Sequence, residues 1–275
     1  MVLRALVRVV LPAVLVATGC ASFPRPVQPF ADPQAALSQY QSTRERVRSL
    51  RAEARVDQRG DQGRIKGTVL MFVERPDHVR FDAMTQFGPA AILTSNGSRF
   101  AYADLRSKRF MTGETCPRNI ARLLNLPLDV HQTTELLLGG TPVIEHERAQ
   151  IGWDDDGFYR IVLFGGDGKR QEIEYAIPES DARLPPSEQQ LRLRRSEIFD
   201  TRGKSRFRAT YDDYRMLPSD GGRAPMPFEV HVEQPFVGTD TLIRFKQIAL
   251  NVEVPEGAFE QQPLPGMEQE EASCE

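Results

Sequence analysis

The chain has 275 residues, of which 40% are hydrophobic and 27% are charged, which is typical of a globular protein and not of a disordered or polytopic membrane protein. Its net charge is −3, so it has no excess of positive charge to neutralise phosphates, and nucleic acid is not expected as a partner. The three cysteines and four histidines stand singly, without paired zinc-ligand spacing or a CxxC motif, so neither a metal nor a cofactor is expected.

Residues 1–19 have the pattern of an export signal. Two arginines precede an apolar run, 9–17, that is too short to span a membrane. The run ends in Ala17-Thr18-Gly19-Cys20, which resembles the lipobox of bacterial lipoproteins, with Ala17 where Leu is usual. The alternative is an ordinary signal peptide that leaves Cys20 as a single thiol.

The lipobox resemblance implies cleavage before Cys20 and acylation of that residue. Several acyl chains on one residue give stable anchoring, so the mature protein would sit on a membrane without crossing it. Ala21, in place of an Asp, favours the periplasmic face of the outer membrane by the same resemblance.

A tether and a helix are predicted next. Residues 20–32 contain three prolines and are expected to form an extended tether. Asp32-Pro33 is an N-cap and N1 pair, and the apolar spacing that follows predicts an amphipathic helix over 33–50. A basic stripe on the neighbouring face would either meet anionic lipid headgroups or be a solvated face; it consists of Arg44, Arg48, Arg51 and Arg55.

Beyond the helix, apolar alternation with a period of two, interrupted by turn residues, predicts antiparallel strands. Asn96-Gly97 is the strongest hairpin signal. Two short helices are expected, one starting after Cys116 and one capped by Asp129. The strands are expected near 50–58, 64–74, 78–86, 90–95, 99–104, 108–112, 143–153, 157–164, 169–177, 189–199, 204–216, 226–234 and 240–252.

The predicted fold class is mainly β, within α+β. One strongly curved antiparallel sheet would form a single domain over 33–262, with helices covering its concave face. The segment 263–275 is acidic, has no basic residue, and is predicted to be disordered.

Apolar side chains on these strands are candidates for the lining of a concave pocket. The same residues would equally form a filled core, and alternation alone does not show which face is concave. The candidates are Val69, Met71, Val73, Phe81, Phe100, Tyr102, Trp153, Val162, Phe164, Phe207, Tyr211 and Phe228.

Catalytic motifs are not found, so the protein is not expected to be an enzyme, although a hydrolase with a dispersed site remains an alternative. Cys116 has three interpretations: an activated thiolate, a helix N-cap, or a disulfide with Cys274 in an oxidising compartment.

A series of short motifs, in this order along the chain, resembles the LolA/LolB-like group of envelope lipoproteins, and LolB-like outer-membrane lipoproteins in particular. The motifs span about 35 to 266 and are 50–52, 67–70, 76–82, 87–89, 94–97, 119–124, 254–259 and 263–266.

The resemblance implies an unclosed half-barrel of about eleven strands that encloses a cavity for acyl chains. It also implies a role in lipoprotein or lipid trafficking, with a periplasmic carrier protein as a partner. LolB-like members have an exposed apolar residue on a protruding loop, whereas the corresponding turn here, 87–90, is short and has no Leu. The alternative function is a non-catalytic envelope binding or sensor module of the same fold that contacts a protein partner.

Overall fold

The computed structural model describes residues 25–60 and 63–274. The predicted signal peptide, Cys20 and the first part of the tether lie outside the described residues. In the part that is described, no helix is both long and apolar enough to cross a membrane.

Among the described residues, three α-helices form: α1 (Pro33–Glu45), α2 (Pro117–Leu124) and α3 (Val130–Leu137). Asp32 caps α1 by accepting from the backbone N–H of Gln34, and Asp129 begins α3 with a capping box. The prediction of a helix over 33–50 is therefore too long at its C-terminal end, because the apolar residues after α1 belong to the first strand.

Fourteen strands follow one another in the part of the chain that the structure describes. They are β1 (Ser49–Gly60), β2 (Gly63–Glu74), β3 (His78–Thr85), β4 (Gly88–Asn96), β5 (Arg99–Asp104), β6 (Arg109–Glu114), β7 (Arg148–Trp153), β8 (Tyr159–Phe164), β9 (Arg170–Ala176), β10 (Arg192–Phe199), β11 (Ser205–Ser219), β12 (Gly222–Gln234), β13 (Thr239–Leu250) and β14 (Glu268–Ala272). All but the last correspond to predicted strands. The Asn96-Gly97 hairpin is confirmed, with Gly97 at a φ of +88° that favours glycine.

The strands form a single unclosed, curved sheet in the order β14-β6-β5-β4-β3-β2-β1-β13-β12-β11-β10-β9-β8-β7. All pairs are antiparallel except β14 with β6. The predicted half-barrel is confirmed, but it has fourteen strands and not about eleven. Because β6 and β7 lie near opposite margins of the sheet, the chain between them crosses its concave face, and α2 and α3 are formed within that crossing.

The hairpin turns β1–β2, β3–β4 and β12–β13 lie side by side at one end of the sheet. Arg59 of β1 is paired with Asp240 of β13, which places the β1–β2 and β12–β13 turns together. Thr68 of β2 is paired with Met84 of β3, which brings the β3–β4 turn beside them. We call this edge of the sheet the hairpin end.

The C-terminal segment corrects the prediction of a disordered tail at 263–275. Residues 268–272 form β14, which pairs in parallel with β6, and Glu270 forms an ion pair of 2.7 Å with Arg109. One of the acidic residues thus has a basic partner that lies far away in the sequence. A disulfide joins Cys116 to Cys274, so of the three interpretations of Cys116 the disulfide is the observed one.

The described part of the predicted tether is held against the domain. The N–H of Val27 donates to the carbonyl of Ala182 at 2.9 Å, and the side-chain amide of Gln189 donates to the carbonyl of Gln28 at 3.0 Å. Phe30 is buried with its ring edge-on to Tyr159. Residues 25–30 are therefore packed on the domain, at the end of β8–β10 opposite the hairpin end.

Candidate functional site

The predicted pocket residues lie mostly in a filled core. Eight of the twelve are buried in one cluster between the sheet and the helices: Val69, Met71, Val73, Phe81, Phe100, Phe207, Tyr211 and Phe228. Tyr102 and Trp153 are half-buried and pack against the same cluster. Helices α2 and α3 complete it with Ile120, Leu124, Leu136 and Leu137.

Val162 and Phe164 are not part of this inner face. On β8 the inward residues are Tyr159, Ile161 and Leu163, so the alternate positions face outward. The ring of Phe164 lies under the guanidinium group of Arg148, 4.1 Å from its centroid. Because the run 161–164 is continuously apolar, alternation gave no means of choosing the inner face.

Open space remains at two margins of the filled core. The first, which we call the tip groove, has a volume of about 250 Å³ and lies at the hairpin end. Strands β1 to β3 and Leu123 of α2 contribute most of its walls, which are largely apolar: Val56, Ile65, Gly67, Val69, Ala83, Met84, Ala90 and Leu123. Val69 is the one predicted pocket residue that lines it.

The hairpin end also projects apolar side chains into solvent. Phe87 is 91% exposed on the β3–β4 turn and Ile65 is 51% exposed beside the β1–β2 turn. Phe236 and Val237 are 73% and 46% exposed on the β12–β13 turn. We call these four residues the apolar rim. Phe87 lies in the turn, 87–90, that corresponds by resemblance to the protruding loop of LolB-like proteins and that has no Leu.

Basic side chains lie at the hairpin end beside the apolar rim, and some of them are paired with aspartates. The Arg206 guanidinium lies 3.9 Å from the centroid of the Phe236 ring. Other exposed basic residues on the strand ends and turns of this edge are Arg59, Arg64, Lys66, Arg106, Lys108, Arg202 and Lys204. An apolar turn such as Phe236-Val237 is unusual, and this signal in the sequence could have identified the rim.

The second open space, which we call the interhelical cavity, has a volume of about 590 Å³. It lies between α1, α3 and the connection 140–146, and its walls mix apolar and charged groups. They include Leu37, Tyr40, Arg44, Glu45, Arg75, Asp129, His131, Glu135, Val143, His146 and Tyr175. None of the twelve predicted pocket residues lines this cavity.

Arg44 is the most deeply buried charge in the interhelical cavity, with 3% of its surface exposed. Its Nη2 donates to the carbonyl of Pro225 at 2.8 Å, and its Nη1 lies 3.4 Å from the carbonyl of Leu138 and 3.3 Å from the sulfur of Met226. The sequence placed Arg44 in a surface stripe; this is wrong, because α1 turns that residue toward the end of α3. The Arg44 guanidinium therefore links α1 to the end of α3 and to β12.

Two tyrosines lie beside Arg44. The hydroxyl of Tyr40 donates to the carbonyl of Gly139, and the Tyr40 and Tyr175 rings are 4.7 Å apart. Burial raises the pKa of Tyr40 to about 12, against the opposing effect of the Arg44 charge, so this hydroxyl is a neutral donor at ordinary pH.

No family model matches the chain, and no curated protein matches it. A solved outer membrane lipoprotein-sorting protein domain from Vibrio parahaemolyticus matches with a TM-score of 0.53 and 11% identity, covering 83% of this chain and 97% of that chain.

Two further solved structures are similar. A LolA superfamily protein from Nitrosomonas europaea has a TM-score of 0.52 and 11% identity, over 85% of this chain and 99% of its own. A DUF1329 family protein from Desulfovibrio piger has a TM-score of 0.56 and 10% identity, over 84% of this chain and 98% of its own. The chain therefore has a LolA-like fold, and the resemblance predicted from its motifs is confirmed at the level of the fold.

Proposed function

We propose that the protein is a non-catalytic envelope lipoprotein, anchored through acyl chains on Cys20 to the periplasmic face of the outer membrane. It binds the acyl chains of lipids or lipoproteins that are moving to that membrane. The observation that carries this proposal is the tip groove, an apolar opening between hairpin turns that project Ile65 and Phe87 into solvent.

The physical argument starts from exposed apolar area. Each Å² of apolar surface left in water costs roughly 25 cal/mol, and clustered exposed side chains mark a surface that another molecule covers. The basic residues beside the rim would add attraction to anionic headgroups. A lipid surface satisfies both features, and the groove lies where a chain leaving that surface would first meet the protein.

Transfer of this kind requires no covalent chemistry. Acyl chains move between apolar environments, and their direction follows from a difference in affinity between donor and acceptor. A periplasmic carrier protein is the proposed donor of lipoproteins.

The groove can be blocked at Gly67. A Cβ added at this residue meets no atom within 4 Å, so Gly67→Leu places a side chain in the groove without a backbone clash. We expect the variant to bind the uncharged fluorescent probe N-phenyl-1-naphthylamine at least several-fold more weakly. Gly152→Leu is the matched control, because its added Cβ on β7 also meets open space but lies outside the groove.

Equal probe binding by the Gly67→Leu variant and the control would exclude the tip groove as the site. Absence of probe binding to the unmodified protein, together with absence of lipid in native mass spectra, would refute acyl-chain binding altogether.

The second candidate is a binding or sensor module whose interior is closed. The filled inner face favours it, since eight predicted pocket residues are buried by the protein's own helices. It predicts a stable protein complex after crosslinking in membranes and a lipid-free protein after purification.

A further inference from the structure

We propose that the tip groove takes a single acyl chain that carries an anionic head, as in a fatty acid or a lysophospholipid, and not the several chains of a lipoprotein together. This inference rests on the proposed function, because it concerns the same groove, and it specifies which ligands the groove selects.

The first observation is the small volume of the groove. A methylene group takes up about as much space as a water molecule in the liquid, about 30 Å³, so the 250 Å³ of the groove accommodates roughly eight carbon atoms of one chain. A second chain of that length would need about twice the volume. The groove therefore holds the terminal part of one chain.

The second observation is a closed floor. Val56, Val69 and Leu123 line the groove and are at most 9% exposed, and all three belong to the buried cluster between the sheet and the helices. Overpacking of a core is destabilising, so a longer chain cannot extend into the interior without displacing a packed side chain. Carbon atoms beyond the capacity of the groove would stay outside the protein and add little to the affinity.

The third observation is the sign of the charge at the groove. Its charged lining residues are Lys66 and Arg106, both exposed and therefore at the mouth, and none of the described carboxylates lines it. Lys66 pairs with Asp57 at 3.1 Å, whereas Arg106 forms no ion pair in the described part of the chain. The neighbouring carboxylate of Asp104 accepts the backbone N–H groups of Arg106 and Ser107. A carboxylate or phosphate head at the mouth would supply the partner that the Arg106 guanidinium lacks.

The first test measures how affinity depends on chain length. The full chain, in a non-ionic detergent, is titrated with saturated fatty acids from hexanoic to hexadecanoic acid. Native mass spectrometry counts the bound chains, and affinities are corrected for partition of each acid into protein-free micelles. We expect one chain per protein. The affinity should rise about fourfold for each methylene that enters the groove and should stop rising beyond roughly eight carbon atoms.

Two variants that deepen the groove should move this limit. Leu123→Ala removes a side chain of the floor and Met84→Ala removes a half-buried side chain of the wall, so each leaves room for about two to three further carbon atoms. We expect decanoic acid to bind several-fold more tightly to these variants than to the parent protein, and hexanoic acid to bind no more tightly. Met216→Ala is the matched control, because Met216 is half-buried on β11 outside the groove. Met84→Ala decides the question if Leu123→Ala, which leaves a cavity in the core, does not fold.

The second test measures the role of the head. Octanoic acid and octanoyl lysophosphatidic acid are compared with octanol, which has a chain of the same length and no charge. Arg106→Gln should weaken binding of the two anions a few-fold and leave binding of octanol unchanged, because only the charged pairing is lost. Arg99→Gln is the matched control, since Arg99 is exposed on β5 and does not line the groove. Tighter binding of the lysolipid identifies a phospholipid as the source of the chain, and tighter binding of the acid identifies a free fatty acid.

The inference is overturned if two or more chains bind to one protein, or if the affinity of the parent protein continues to rise up to hexadecanoic acid. It is equally overturned if Met84→Ala leaves the length limit unchanged, or if Arg106→Gln and its control bind the anions equally well. In each of these cases acyl chains still bind, so the proposed function stands. If no acid of any length binds, the proposed function fails, and this inference fails with it.

Discussion

Removal of the Cys116–Cys274 disulfide should lower the free energy of unfolding by several kcal/mol. The bond joins residues 158 apart in the sequence. In the chain-entropy treatment, closing a loop of that length lowers the conformational entropy of the unfolded chain, which raises its free energy by about 5 kcal/mol at 25 °C. The reduced native protein also gains conformational entropy, because β14 has only five residues and frays. This gain offsets part of the destabilisation. We therefore expect a loss of about 2 to 4 kcal/mol.

The assay is guanidinium denaturation of the Cys274→Ser variant, compared with the oxidised and reduced parent protein. The Cys116→Ser/Cys274→Ser double variant is the control, and it should match the single variant, because either substitution breaks the same bond. The dependence of unfolding free energy on denaturant should also rise, since an unfolded chain without the cross-link exposes more surface. Hydrogen exchange at β6 should accelerate when its edge loses β14. An unchanged midpoint together with unchanged exchange at β6 would refute this account of the C-terminal strand.

Three further predictions concern single side chains. Burial raises the pKa of Glu197, but hydrogen bonds from Arg208 and Arg195 outweigh it and hold that pKa below its ordinary value. This carboxylate therefore stabilises the fold above about pH 4.3 and loses that effect as the pH falls. Glu197→Gln should lower the free energy of unfolding by about 2 kcal/mol at pH 7. In denaturation at a series of pH values, the variant should also lose less stability than the parent protein as the pH falls. Arg44→Met leaves buried carbonyls without their donor and should cost about 2 kcal/mol in thermal denaturation, whereas a loss below about 0.5 kcal/mol would contradict its linking role. Phe87→Asp should slow the transfer of a fluorescent lipid from phosphatidylglycerol vesicles without lowering stability, because this side chain is 91% exposed, and an unchanged transfer rate would contradict a role for the rim.

The strands could be predicted from the sequence because each one carries its own local signal. Period-two alternation identifies a strand with one buried face, and residues such as Asn96-Gly97 fix the hairpin turns. The end of α1 could not be located in this way, because Val47 and Leu50 continue the helical spacing although Leu50 belongs to β1. Local periodicity does not distinguish an apolar position on a helix from one on the strand that follows it.

The candidate site was harder to predict because it depends on partners distant in sequence. Strand β14 has an acidic sequence and owes its position to backbone pairing with β6 and to a disulfide, which composition does not reveal. The inward direction of Arg44 depends on where α3 ends, and α3 is about ninety residues later in the chain. Ten of the twelve predicted pocket residues belong to the buried cluster or pack against it, but whether helices fill the space above them is a tertiary property.

The packed tether limits how an anchored protein could be oriented. With acyl chains on Cys20, as proposed, the contour from Cys20 to Arg25 is at most about 18 Å, so the anchor holds the end of the sheet near Ala182 close to the membrane. Strand β1 alone, with twelve residues, spans roughly 40 Å. When the strands stand upright, the apolar rim therefore faces away from the anchoring bilayer and toward the periplasm, where a carrier would meet it. Delivery from the rim to the protein's own membrane then requires the domain to lie along the surface, so reception and release of a lipid would correspond to two orientations of one rigid domain.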